Sequence, residues 1–213
     1  MEQMPAKIAA AIARGLPGTD VQWEMASSDR MIRDFPRIKR EDSKMAAVLI
    51  LLYPEHNHIC TLLMQRPVYN GVHSGQISFP GGRAEPGDAS LIETALREAA
   101  EETGIVRESV SLLGLLTPLF IPVSDTEVTP VVGWSNTKPS FRINESEVVH
   151  IIEVKLSGLS DPLIIREKPF LIRNEMIKVK YYDYNGNVIW GATAMLLHEL
   201  MTIFRRNQVQ FTL

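Results

Sequence analysis

Apolar and polar positions divide the chain into strand-type runs and helix-type segments, and the strand-type runs begin near residue 45. "AAVLILLY" at 46–53 and "HICTLLM" at 58–64 are nearly continuous apolar runs, separated by the turn-rich "PEHNH". We therefore predict a hairpin of two central strands. Four later runs are also of β-type: "VSLLGLLTPLF", "VTPVVGW", "VVHIIEV" and "MIKVKYYDYNGNVI". Within the last of them, "YNGN" predicts a second hairpin turn.

Helical spacing marks three other segments. Alanines and isoleucines at Pro5–Ala13 predict a short amphipathic helix, and apolar residues recur at steps of three and four both in Asp88–Thr103 and in the final "ATAMLLHELMTIFRR". This order of strands and helices predicts an α/β (α+β) fold, an α/β/α sandwich with a mixed β-sheet. We place that domain at 45–213, and we predict that residues 1–44 form an N-terminal helix and an irregular extension that packs on its core.

Composition restricts the partners and the compartment. The 213 residues are 45% hydrophobic, which is enough for one domain with a sizeable core. A net charge of −3 provides no basic field for nucleic acid or an anionic membrane, so a small ligand is expected. The single cysteine, Cys60, lies in an apolar run, where we expect it to be buried and reduced. Without a secretory signal or a membrane-length apolar stretch, the sequence predicts a cytoplasmic protein, and it leaves open whether the protein is a homodimer.

Three glutamates project from the predicted helix at Asp88–Thr103. Helical geometry places Glu98, Glu101 and Glu102 opposite the apolar face, close enough for their carboxylates to converge. Such a set of like charges destabilises a helix unless a cation lies between them. Oxygen ligands on a rigid helix suit Mg²⁺ or Mn²⁺, so we predict that these three residues are metal ligands. Arg97, one turn before Glu101, is spaced to pair with it.

The sequence "GGRAEPGDASLIETALREAAEETGI" at 81–105 resembles the Nudix box, in which a glycine, five residues, a glutamate and seven residues precede Arg-Glu-aliphatic-any-Glu-Glu-any-Gly-aliphatic. In the early acidic position stands Asp88, and eight residues rather than seven separate it from Arg97. Asp88 is alternatively the N-cap of the helix. The matching positions are Gly82, Arg97, Glu98, Ala99, Glu101, Glu102, Gly104 and Ile105.

The residues before the box, Leu62–Gly82, resemble the signature of the coenzyme A pyrophosphatases within the Nudix hydrolases. Matching positions are Leu62, Leu63, Arg66, Gly75, Phe79, Pro80, Gly81 and Gly82. Gly71 stands where an arginine is expected. The resemblance implies a metal-dependent hydrolase that splits coenzyme A into 3′,5′-ADP and 4′-phosphopantetheine. Two alternatives stay open: hydrolysis of ADP-ribose, a dinucleotide or a nucleoside triphosphate, and nucleotide binding without catalysis.

Substrate contacts are expected from the segment that leads into the glycine turn. Arg66 is the preferred phosphate ligand because a guanidinium binds phosphate oxygens in pairs, and His73, Gln76, Gly81 and Gly82 complete the predicted set.

A base must also take a proton from the attacking water. Glu145 and Glu147 in "NESEV" are the candidates, and Glu147 is included in the predicted catalytic set together with Arg97 and the three helix glutamates.

Overall fold

The structure, a computed structural model, describes residues 3–28, 39–69, 74–172 and 174–212. Within these ranges the α-helices are α1 (Gln3–Ala13), α2 (Thr19–Trp23), α3 (Leu91–Thr103) and α4 (Gly191–Arg206). The strands are β1 (Lys44–Glu55), β2 (His58–Gln65), β3 (Ile77–Ser78), β4 (Gly81–Arg83), β5 (Ser111–Leu115), β6 (Leu119–Ile121), β7 (Thr126–Trp134), β8 (His150–Lys155), β9 (Ile165–Ile172), β10 (Glu175–Tyr184) and β11 (Asn187–Trp190).

The main sheet is mixed, with β1 at its centre. The strand order is β3-β2-β1-β7-β5, and β4, β6 and β8 pair with β1, β7 and β2. β1 runs parallel to β7 and antiparallel to β2, to which it is joined by a tight turn with positive φ at His56 and Asn57. The predicted hairpin is therefore confirmed. Its first strand pairs with β7 over residues 44–52, with β4 over 46–48 and with β2 over 52–55.

Alternate residues of β1 pack into two separate cores. Leu49 and Leu51 lie in the core beneath α3, with Ala95 and Ala99 of that helix. Ile50 and Leu52 point to the opposite face, into the core that α4 covers. Because successive side chains of a strand point to opposite faces, a continuous apolar run is what a strand covered on both sides requires. The predicted α/β/α sandwich with a mixed sheet is confirmed, and α4 is buried at every position from Thr193 to Phe204 rather than on one face alone.

The N-terminal residues contribute to the larger core. Ile8 of α1 and Trp23 of α2 are buried in it. A hydrogen-bonded carboxylate also connects this segment to α4: Glu199 is fully buried and accepts hydrogen bonds from Gln22 Nε2 at 2.7 Å and from the Thr117 hydroxyl at 2.5 Å. A buried charge is tolerated when donors replace its water, so these contacts hold α2 against the domain.

Two local features differ from the sequence prediction. The run "VSLLGLLTPLF" forms two strands, β5 and β6, instead of one, and the register of β5 shifts between Leu112 and Gly114. Strand β9 was not predicted, since its "IREKPFLI" contains three charged residues and a proline. It is an edge strand of a separate three-stranded sheet, β11-β10-β9, where a proline is tolerated.

Other sequence predictions are confirmed. The "YNGN" turn joins β10 to β11 with positive φ at Asn185 and Gly186, and Cys60 is buried. In the described part of the chain no helix combines the length and the apolar character that a membrane crossing requires. The division into an extension at 1–44 and a domain at 45–213 stays a prediction.

If the N-terminal segment folds as one unit with the domain, Ile8→Ala should destabilise the whole protein. Removing a fully buried isoleucine side chain leaves a cavity and costs about 2–5 kcal/mol. We expect a single cooperative unfolding transition at a lower temperature, measured by circular dichroism. Lys7→Ala, at the exposed neighbouring position, is the control and should be close to the wild type. Two separate transitions in the wild type would contradict the prediction.

Candidate active site

Strand β4 brings a pair of glycines directly against the central strand and the acidic helix. Gly81 pairs with Val48 and has a φ of 150°, and a Cβ there would lie 2.3 Å from the carbonyl oxygen of Ala47. A side chain at this position would collide with backbone, which cannot give way. The glycine is thus required for the loop to approach β1. This approach fixes the position of the backbone of residues 81 and 82 relative to α3.

Helix α3 is capped at both ends, although not by the predicted residue. Ser90, rather than Asp88, is the N-cap, and its side chain accepts a hydrogen bond from the backbone N–H of Glu93 at 3.3 Å. Gly104 closes the C-terminus with a φ of 73°, in the left-handed region that glycine favours. The N-cap prediction for Asp88 is wrong because the helix begins two residues later, which leaves the Asp88 carboxylate available for other partners.

Asp88 instead binds Arg97. The guanidinium donates to both carboxylate oxygens of Asp88, from Nε at 2.9 Å and from Nη2 at 3.0 Å, and these bonds hold the pKa of Asp88 well below its usual range. Arg97 also donates to Glu98 at 3.0 Å and to Glu101 at 3.3 Å. The predicted pairing of Arg97 with Glu101 is present, but the two-point contact with Asp88 orients the arginine.

Glu98 lies against the Cα of Gly82. A Cβ on residue 82 would be 2.4–2.5 Å from the carboxylate atoms of Glu98, so this glycine makes room for the acid. Burial raises the pKa of Glu98, partly offset by Arg97, and the negative charges of Glu101 and Glu147 raise it further. The carboxylate is therefore held in a position with less water than an ordinary surface glutamate has.

Glu102 is the most deeply buried acid of the helix, with an exposed fraction of 2%. Although Glu102 lies opposite the apolar face of α3, it is not exposed, because β4 covers it. Its Oε2 accepts a hydrogen bond from the Gly81 N–H at 2.8 Å, and Arg66 Nη2 lies 3.5 Å from Oε1. Burial raises the pKa of Glu102 to about 7, against the lowering effects of Arg66 and the Gly81 N–H.

The three predicted metal ligands have different surroundings. Glu101 is largely exposed and is paired with Arg97, whereas Glu98 and Glu102 are sheltered. In the described ranges, no three His, Cys, Asp or Glu side chains are grouped closely enough to hold a metal ion. The donor chemistry of Glu98 and Glu102 nevertheless fits a hard divalent cation, because both are carboxylates whose charge is poorly solvated and mutually repelled. Their assignment as ligands stays a prediction.

The loop that carries the predicted base lies against the C-terminal end of α3. The backbone N–H of Asn144 donates to the carbonyl of Glu102 at 2.9 Å, which anchors the loop there. Glu147 is exposed, and its charge raises the pKa of both Glu98 and Glu102. Glu147 therefore lies close enough for its charge to act on the helix carboxylates, and its role as the base stays a prediction.

The paired glycines of β4, which contact Glu98 and Glu102, also line a cavity of about 450 Å³. Arg66, Gln76, Gly81 and Gly82, all predicted to bind substrate, line it. The Arg66 side chain crosses from the cavity to Glu102 and donates to Ser78 Oγ and to the Gly81 carbonyl, each at 3.1 Å. The fifth predicted residue, His73, and the atypical Gly71 lie outside the described residues.

Other parts of the chain complete the cavity and were missed from sequence. They are residues of β1, β6, β7, the turn between β6 and β7 and the start of α4, together with two side chains near the predicted ones: Ala46, Val48, Tyr69, Arg83, Ile121, Ser124, Thr126, Val128, Ala192, Thr193 and Leu196. Most are apolar or small residues that resemble any core residue in the sequence. Arg83 was the exception, since a cation directly after the paired glycines is a detectable signal.

Comparisons with known proteins agree with this geometry. A match to the NUDIX domain family covers residues 43–185. A protein of Pectobacterium atrosepticum, named as an uncharacterized Nudix hydrolase NudL, is 39% identical over 159 residues, which are 74% of this chain and 81% of that protein. The protein of the same name in Escherichia coli is 36% identical over 174 residues, 78% and 86% of the two chains.

Among solved structures, the Nudix hydrolase RenU of M. smegmatis matches with a TM-score of 0.55 at 14% identity, over 81% of this chain and 96% of that one. This likeness supports the fold alone. The sequence matches define the class of the protein, a hydrolase of phosphoric anhydride bonds in small nucleotide derivatives. More particularly, the chain belongs to the Nudix family.

The contact between Gly82 and Glu98 predicts a selective loss of activity in Gly82→Ala. The added methyl would meet the carboxylate of Glu98, a flexible side chain that can move aside, so the fold should survive while the acid is displaced. We expect activity to fall about tenfold or more, with a small change in melting temperature. Gly87→Ala is the matched control, because nothing lies within 4 Å of its Cβ. Equal activity of both variants would disprove the positional role of Gly82.

The raised pKa of Glu102 predicts that the free energy of unfolding of the metal-free protein depends on pH. Its pKa rises from an ordinary 4.5 to about 7 in the folded state, so folding favours the protonated form of Glu102. The stability that comes from this protonated form is complete at pH below 4.5 and is lost as the pH rises through 7. Glu102→Gln cannot ionise. With metal removed by a chelator, this variant should gain stability over the wild type as the pH rises from about 5.5 to about 8, by on the order of 1–2 kcal/mol.

Chemical denaturation at several pH values measures this difference. Glu108→Gln is the control for the loss of one carboxylate, because Glu108 is exposed and lies outside α3, and its difference from the wild type should stay small. A constant difference between Glu102→Gln and the wild type across this range would show that Glu102 does not titrate as described.

Proposed function

We propose that this Nudix hydrolase cleaves the diphosphate of coenzyme A or its derivatives, to give 3′,5′-ADP and 4′-phosphopantetheine. The observation that carries the proposal is the location of the described residues of Leu62–Gly82, a segment that resembles the coenzyme A signature although Gly71 departs from it. Its Arg66, Gln76 and Ser78 line the cavity, together with the paired glycines that contact Glu98 and Glu102. A substrate-selecting segment is expected to lie at that position, between the reacting bond and the rest of the ligand.

The chemistry of the cavity supports a ligand with two different ends. Val48, Phe79 and Leu196 give it apolar walls, which suit the pantetheine arm. Arg66 and Arg83 place two cations in the same wall region as Gly81 and Gly82. A guanidinium can bind phosphate oxygens in pairs, so these cations suit the diphosphate and the 3′-phosphate.

In this proposal, Glu98 and Glu102 hold Mg²⁺ or Mn²⁺, with Glu101 as the third ligand, and Arg97 keeps their carboxylates in place. The ion supplies neutralisation of phosphate charge and acidification of water. Glu147 takes the proton from the attacking water. The water oxygen forms a new bond to phosphorus, the anhydride P–O bond breaks, and the leaving phosphate departs as a phosphomonoester.

The proposal is tested by comparing kcat/KM for coenzyme A, dephospho-coenzyme A and ADP-ribose, with Mg²⁺ and with Mn²⁺. We expect coenzyme A to be the best substrate. Loss of the 3′-phosphate removes a charge-assisted hydrogen bond worth roughly 1.5–3 kcal/mol, so dephospho-coenzyme A should react about ten- to a hundredfold less efficiently.

Glu98→Gln is the control for contaminating activity, because it should lose most turnover with every substrate while remaining folded. If ADP-ribose or a dinucleotide is hydrolysed best, the coenzyme A assignment is wrong and the alternative substrate class is correct. If no compound is hydrolysed while nucleotides still bind, the non-catalytic alternative is favoured.

A further inference from the structure

Each of the two sheltered acids of α3 already has an arginine. Glu98 Oε1 accepts a hydrogen bond from Arg97 at 3.0 Å, and Glu102 Oε1 lies 3.5 Å from Arg66. Both arginines therefore compensate carboxylates that we propose to be metal ligands. The two differ in how firmly other groups hold them.

Arg97 is bound in place by a second anion. Asp88 accepts two hydrogen bonds from its guanidinium, and the Arg83 carbonyl accepts another at 3.1 Å. Withdrawing Arg97 from the helix would break an ion pair as well as these bonds. It is consequently a permanent part of the site.

Other groups hold the Arg66 side chain less firmly than they hold Arg97. Within the described residues, the other contacts of its side chain are to neutral groups, the Ser78 hydroxyl and the Gly81 carbonyl. Its side chain is 25% exposed, against 2% for Glu102, and it lines the cavity. A small rotation would move the Arg66 guanidinium from Glu102 into the cavity. No anion other than Glu102 would lose a partner by this movement.

We propose that Arg66 is an exchangeable counter-ion of Glu102, which competes with the divalent cation in the free protein and transfers to the substrate diphosphate in the complex. This inference deepens the proposed function and rests on it for the identity of the diphosphate ligand. In the free protein, Arg66 offsets the cost of a buried negative charge. In the complex, the diphosphate supplies Arg66 with a new anionic partner in the cavity.

Two consequences follow from this exchange. Metal and diphosphate should bind cooperatively. The metal neutralises Glu102 and the diphosphate binds Arg66, so each weakens the pairing of Arg66 with Glu102, and such coupling is reciprocal. Removing the charge of Arg66 should tighten metal binding to the free protein. A residue that merely positioned Glu102 would have the opposite effect, since its loss would loosen the metal.

The test measures Mn²⁺ binding to the free protein by the electron paramagnetic resonance signal of unbound Mn²⁺, at one fixed pH for every variant. Arg66→Gln removes the charge and retains an amide donor. We expect this variant to bind Mn²⁺ about fivefold or more tightly than the wild type, a change within the usual range of coupling between sites. Arg66→Lys, which retains the charge, should stay close to the wild type.

A matched control is Arg166→Gln. It makes the same change in net charge, and Arg166 pairs with Asp183 in the three-stranded sheet, away from the carboxylates of α3. Its Mn²⁺ affinity should equal that of the wild type. Thermal unfolding of all three variants ensures that the comparison is between folded proteins.

The cooperative part of the inference uses α,β-methylene-ADP, whose P–C–P bridge resists hydrolysis. This analogue should tighten Mn²⁺ binding to the wild type by a larger factor than to Arg66→Gln. Unchanged or weaker Mn²⁺ binding in Arg66→Gln without the analogue would overturn the inference, as would the absence of Mn²⁺ binding in every variant.

These results separate the inference from the proposed function. If Arg66→Gln tightens Mn²⁺ binding although the wild type does not hydrolyse coenzyme A, the substrate assignment fails and the counter-ion role stands. If coenzyme A is hydrolysed efficiently and Arg66→Gln loosens Mn²⁺, the counter-ion role fails and the proposed function stands.

Discussion

The hydrogen bond from the Gly81 N–H to the Glu102 carboxylate connects the two halves of the candidate site. It ties the glycine loop to the acidic helix at 2.8 Å, in a place where the acid has almost no contact with water. The bond forms because Gly81 lies against β1 without a side chain. The same close approach brings Gly82 to Glu98, so the positions of both acids depend on a backbone contact with the central strand.

The burial of these two carboxylates reduces the stability of the fold. Burial raises the pKa of Glu98 and of Glu102, although arginines partly compensate each of them. A structural role alone would be better served by neutral side chains, because a buried charge generally weakens a fold unless it is fully paired. Carboxylates with raised pKa values next to a cavity are typical of functional sites. The chain belongs to the Nudix family, so a role in function accounts for the burial of these acids.

The arginines divide the site into a fixed part and an adjustable part. Arg97 is held by Asp88 and therefore acts as scaffold, and the deep lowering of the pKa of Asp88 reflects the strength of that pair. Arg66 reaches from the cavity to the buried acid through neutral contacts. The cavity walls that come from β1, β6, β7 and α4 are rigid elements, which suits a site whose shape selects the substrate.

Local patterns in the sequence determined the hairpin of β1 and β2, the course of α3 and α4 and the close spacing of the helix glutamates. These features depend on periodicity and turn chemistry, which act over a few residues. The sequence did not determine that Ser90 caps α3, that Asp88 serves Arg97, or that Glu102 is buried while Glu101 is exposed. Those outcomes depend on β4 folding over one side of the helix, and on residues far apart in the chain meeting around one cavity. Only tertiary structure decides such contacts, because a carboxylate has the same local helical pattern whether water or another strand covers it.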